Sequence, residues 1–104
     1  MHWYCYLLEF LGGALLANAV PHFVHGISGA PFQSPFAKPP GVGESSPVVN
    51  VLWGFANFVA GVVLLHYFRP RGWTGWIVVG AGALLLSLQM AAHFGKVRAG
   101  EHSR

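Results

Sequence analysis

Apolar residues along this chain fall into three long runs with little polar interruption. The first extends from Trp3 to about Ile27, the second from Pro47 to Phe68 and the third from Trp73 to about Gly95. Each is about 22 to 25 residues long, against the roughly 20 that a helix needs to cross a bilayer core. None alternates with period two, so a transmembrane β-barrel is excluded. The pattern predicts an all-α integral membrane protein, a bundle of three transmembrane helices, with residues 1–104 forming a single membrane domain. Three helices bury few of their own faces, so completion by oligomerisation is expected.

The ends of the runs carry helix punctuation. Ser46 is a capping residue and Pro47 suits the first helical position. Gly26 and Gly29 close the first span. Pro21, inside that span, removes one backbone hydrogen bond and predicts a kink near Ala17. Arg69-Pro70-Arg71-Gly72 reads as a tight turn, which predicts that spans two and three form an antiparallel hairpin. Residues 28–45 hold Pro31, Pro35, Pro39 and Pro40 with Gly41 and Gly43. They are expected to form a loop that is neither helix nor strand. Phe32 and Phe36 would then hold it on the membrane surface or over the mouth of the bundle. Residues 96–104 are a short polar tail, expected to fray.

Composition narrows the class. Hydrophobic residues make up 54 % of the 104 and charged residues 9 %, against about 25 % charge in soluble domains. The net charge of +3 comes from six Lys and Arg against three Asp and Glu, with no basic cluster of the kind nucleic acid demands. Nucleic acid is therefore excluded as a partner, and the bilayer is the partner expected. The single cysteine, Cys5, allows no disulfide within the chain. Ala17-Asn18-Ala19 resembles a signal-peptide cleavage site, but no Lys or Arg precedes the apolar run and Glu9 interrupts it, so the first span is read as retained. The expected address is a bacterial-type inner membrane. Lys38, Lys96, Arg98 and Arg104 outnumber Arg69 and Arg71, a slight bias that puts the loop and the carboxyl terminus in the cytoplasm. So small a bias also leaves dual insertion and antiparallel dimers open.

Polar residues within apolar spans usually face protein or water. At about 100° per residue, Asn18, His22 and His25 share one face of the first span, with His2, Cys5 and Glu9 nearly opposite. Asn50, Gly54, Asn57 and Gly61 form a stripe along the second, which reads first as a helix-packing seam. Gly75, Gly82, Gln89 and His93 share a face of the third. Taking about 1.5 Å of rise per residue, His22 and Asn50 each lie roughly 10 Å from their span centres toward the loop end. Antiparallel connectivity then gathers Asn18, His22, His25, Asn50, Asn57, Gln89 and His93 in one half of the bilayer.

Three chemistries suit that gathering. Neutral imidazoles and amides donate and accept hydrogen bonds. Asn18, His22, Asn50, Asn57, Gln89 and His93 are thus candidates to bind or pass a small ion or polar solute, with Glu9 as a separate proton-linked acid in the other half. His22, His25 and His93 are alternatively nitrogen ligands for a divalent metal, or for a haem shared with a neighbouring copy. In the third reading the same groups only join helices, and the chain is a structural subunit of a homo-oligomer or of a larger membrane complex. Enzymatic chemistry is least supported: no nucleophile and base stand at recognisable spacing, and no phosphate-binding loop is present.

Overall fold

The computed structural model describes residues 2–100. The end of the polar tail, with the Arg104 counted in the charge bias, lies outside the described residues. Helix α1 covers Trp3–Ile27, α2 covers Pro47–Tyr67 and α3 covers Gly72–Arg98. All three are long and apolar enough to cross a membrane. The third helix runs beyond the expected Gly95 through Lys96 and Arg98, so the tail begins later than the apolar run ends. Cationic side chains in the last helical turn complement the negative end of the helix dipole, which lets the helix outlast its hydrophobic stretch.

Local chemistry accounts for the boundaries. The Ser46 side chain accepts a hydrogen bond from the Val49 N–H at 3.2 Å, and Pro47 opens α2. Ser46→Ala is expected to lower stability by about 1 kcal/mol, because that N–H then loses its partner; chemical unfolding in detergent measures the change. Gly29, with φ of 76°, terminates α1 in the left-handed region that glycine adopts without strain. Its N–H reaches the Gly26 carbonyl, and the Ala30 N–H reaches the His25 carbonyl at 2.9 Å.

The connecting segment departs from the expectation of an unpaired loop. Phe32–Gln33 (β1) and Glu44–Ser45 (β2) form a two-residue antiparallel ribbon, Phe32 opposite Ser45 and Gln33 opposite Glu44. The turns between them are closed by hydrogen bonds from Gly41 N–H to the Ser34 carbonyl and from Gly43 N–H to the Pro39 carbonyl. Phe32, Gln33 and Ser34 are buried while Phe36 is exposed. The segment therefore folds back as a cap on one end of the bundle, with Phe32 as its buried aromatic anchor.

The hairpin expected of α2 and α3 does not form. The turn after Tyr67 joins them, but α1 lies between, packed along both, and α2 and α3 barely touch. The reason is the distribution of small residues on α1. Gly12 lies against Gly61 and Leu65 of α2, and Gly54 of α2 lies against the backbone of Ala19 and Phe23. Gly13, one position on from Gly12, meets the Val79 carbonyl of α3, and Gly82 reciprocally meets the Phe10 carbonyl. A β-carbon at Gly13 or at Gly82 would overlap that backbone. Such close approach lets Cα–H groups face carbonyl oxygens, worth about 0.5–1 kcal/mol each. Glycines on two faces make α1 the central helix.

Candidate functional site

The buried residues of α2 are Asn50, Gly54, Asn57 and Gly61, the stripe that the spacing predicts. Its glycines admit α1, and its amides bond across the seam. Asn18 Nδ2 donates to Asn57 Oδ1 at 3.0 Å, and Asn57 Nδ2 donates to the Trp53 carbonyl at 2.8 Å. Two turns nearer the cap, Asn50 is fully buried. Its Nδ2 lies 3.1 Å from the carbonyl oxygens of Phe32, Ser45 and Ser46, and its Oδ1 lies 2.8 Å from His22 Nδ1. A single amide thereby ties α1, α2 and both strands of the cap together.

That arrangement fixes the protons. Carbonyl oxygens only accept, so the amide nitrogen must face the three of them and the amide oxygen must face His22. His22 Nδ1 then carries hydrogen and donates to Asn50, which leaves Nε2 of the neutral ring with an acceptor lone pair. The ring is enclosed by aromatic edges: Phe32 at 5.4 Å and Trp53 at 6.5 Å between centroids. Phe36 in turn stands edge-on to Trp53 at 5.0 Å. Under the same cap, the Trp53 Nε1–H and the Gln33 Oε1 are buried with no hydrogen-bond partner. Buried polar atoms normally have partners, so this donor and this acceptor stand out as unmet among the described residues.

The remaining predicted residues separate from this network. His25 donates from Nδ1 to the Pro21 carbonyl at 2.7 Å and stacks on Phe32 at 4.2 Å. His93 bonds through Nε2 to the Gly41 carbonyl at 2.8 Å and so holds the cap from α3. Gln89 is exposed and does not join the amides. A seven-residue step drifts by about 20° on a straight helix, which carries Gln89 off the line through Gly75 and Gly82. An apolar groove of about 670 Å³ also lies between α1 and α3, with Val20 and Pro21 on one side and Met90 and Ala91 on the other.

The metal set His22, His25 and His93 is likewise not assembled. Among the described residues no three His, Cys, Asp or Glu side chains stand close enough to share an ion. Phe32 contacts both His22 and His25, and Phe94 contacts Phe32 and His93, so aromatic rings fill the space among the imidazoles. A haem bridging two copies is no better placed on His22, which is 3 % exposed and bonded inward.

Glu9 stands apart, in the half of α1 remote from the cap. It is fully buried, and neither carboxyl oxygen has a hydrogen-bond partner. Sequence reasoning found the amides, the histidines and Glu9 but missed Phe32 as a wedge and missed Gln33 and Trp53. Trp53 was accessible by spacing, since it lies three residues after Asn50 and four before Asn57. Gln33 left no such signal, because the fold of the cap decides its burial. No family model, curated protein or solved structure matches the chain.

Proposed function

We propose that the chain is an integral membrane protein that binds a small ion or polar solute beneath its cap and passes it along the α1–α2 seam. The observation that carries this reading is the pair of buried, unpartnered polar atoms under the cap, the Trp53 Nε1–H and the Gln33 Oε1, close to an imidazole whose Nδ1 is taken by Asn50 and whose Nε2 is left to accept. A guest that both donates and accepts would meet them. The Asn18–Asn57 pair continues the polar line inward from that set. In hydrocarbon such groups are costly, which argues for their use. Both cap and carboxyl terminus face the cytoplasm in the orientation favoured by the charge bias.

Three helices enclose a path poorly, and α3 buries only Gly75, Gly82 and Val97. A homo-oligomer, or a larger complex that covers α3, is therefore part of the proposal. The competing structural reading, in which the polar residues only join helices, draws on the four contacts that already occupy the Asn50 side chain.

Liposomes containing the purified protein separate the two. Potassium and proton flux and uptake of urea are measured for the wild type and for His22→Phe, with helicity and oligomer size as controls for folding. The binding reading expects at least one activity, reduced about tenfold or more in the variant, the effect of losing one or two buried hydrogen bonds. A wild type that carries none of them, or a variant that carries as much, favours the structural role.

A further inference from the structure

The end of the bundle opposite the cap holds a second, differently built cavity. It measures about 270 Å³ and is lined by His2, Cys5, Glu9, Tyr67, Phe68, Arg69 and Arg71. Glu9 is its buried member, with both carboxyl oxygens unpartnered. Its position on α1 follows from the packing. Gly12 faces α2 and Gly13 faces α3. At about 100° per residue Glu9 lies between those two directions, at the junction of all three helices. The turn from Phe68 to Arg71 closes the junction from outside and brings Arg69 and Arg71, both exposed, to the rim.

The chemistry of this cavity is asymmetric. A carboxyl group sits deep without a donor, and two guanidinium groups stand outside it without pairing to it. An anion alone leaves the carboxyl oxygens unmatched. A cation alone must settle beside two arginines. A ligand with an N–H-bearing ammonium group a few bonds from an oxyanion matches both ends, through charge-assisted hydrogen bonds at each. Guanidinium groups suit the oxyanion because they present paired N–H donors to phosphate or carboxylate.

We propose that the Glu9 cavity binds an ammonium–oxyanion zwitterion, ammonium inward on Glu9 and oxyanion outward on Arg69 and Arg71. The headgroup of an ethanolamine phospholipid and a free solute of the same chemistry both meet that description. The site is independent of the one beneath the cap and stands or falls without it.

Two arms of one experiment test the assignment and distinguish the sources. In phosphatidylcholine nanodiscs, phosphoethanolamine and phosphocholine are titrated calorimetrically against the wild type, Glu9→Gln and the double variant Arg69→Gln/Arg71→Gln. In mixed nanodiscs, native mass spectrometry compares retention of phosphatidylethanolamine with that of phosphatidylcholine. The wild type is expected to prefer the primary ammonium over the quaternary one by about tenfold or more, because trimethylammonium has no N–H to donate. Glu9→Gln loses that preference, and the double arginine variant loses affinity for both probes. Preference only for the soluble probe assigns a free solute; preference only for the lipid assigns a headgroup; preference for both keeps the shared chemistry, with the lipid as resident. Absence of preference in both arms, or a double variant that binds as the wild type does, overturns the proposal. Should Glu9→Gln fail to fold, the ammonium comparison on the wild type and the arginine variant still decide it.

Discussion

Asn50→Leu is expected to lower stability by about 3 kcal/mol or more and to release the cap. Leucine keeps the branched outline and heavy-atom count of asparagine, though its methyl groups are bulkier and add some overpacking. The larger loss is polar. The asparagine side chain holds the carbonyls of Phe32, Ser45 and Ser46 and the Nδ1–H of His22, and leucine leaves all of them without that partner. A buried group left unpaired costs about 1–3 kcal/mol. The Ser46 carbonyl keeps the backbone N–H of residue 50 and Ser45 is only half-buried, whereas Phe32 and His22 are buried. Two orphaned groups therefore dominate the sum. Asn57→Leu removes fewer contacts, since one of its two bonds runs to the carbonyl of Trp53 on its own helix. Its cost is expected near 1–2 kcal/mol. Unfolding in detergent gives both values, and hydrogen exchange at Gly41 and Gly43 reports whether the cap has opened. Equal stability of Asn50→Leu and wild type would contradict the role assigned to this amide.

Gly82→Val is expected to detach α3 while leaving the α1–α2 seam intact. The added β-carbon falls on the Phe10 carbonyl, which belongs to helix backbone and has little freedom to yield. Overpacking of this kind costs about 1–3 kcal/mol, occasionally more. The consequence is large because α3 has little other attachment to the helices: it packs on α1 and barely meets α2. Gly80→Ala is the control. Nothing stands near its β-carbon position, so alanine there is expected to be neutral or to stabilise by up to about 1 kcal/mol through helix propensity. Hydrogen exchange should rise along α3 in Gly82→Val and stay unchanged around Asn57. Uniform loosening of all three helices would instead place the cooperative unit at the whole bundle.

Much of this architecture is legible in the chain, for identifiable reasons. Helix limits follow from apolar length and from Ser46, Pro47 and Gly29, which act within a few residues of their own position. The Asn50–Gly61 stripe is equally plain, because a four- and three-residue alternation of small and amide residues has one natural use in an apolar helix. The order of packing is less direct. A short turn at Arg69–Gly72 suggests neighbours, yet Gly12 and Gly13 point in different directions and insert α1 between α2 and α3. That conclusion requires knowing which backbone each glycine meets. Gln89 misled because spacing of seven was read as a straight line on a helix of 3.6 residues per turn. The cap was the least legible part. Its ribbon rests on Ser34, Ser45 and Asn50, whose bonding is set by the returning chain and leaves no periodic trace. The histidines illustrate the same limit: spacing predicted proximity of His22, His25 and His93, while the separation imposed by Phe32 and Phe94 depends on tertiary packing.

His22 is held inward by Asn50, and the proposed function rests on its Nε2 being open to a guest. Solid-state nitrogen NMR of the histidine-labelled protein in bilayers reads this directly. The expected result is a single His22 ring with hydrogen on Nδ1, coupled through space to the Asn50 side chain, and an Nε2 signal in the range of an unprotonated acceptor. A His22 signal averaged by exchange with water, or one carrying hydrogen on Nε2 with no contact to Asn50, would contradict it.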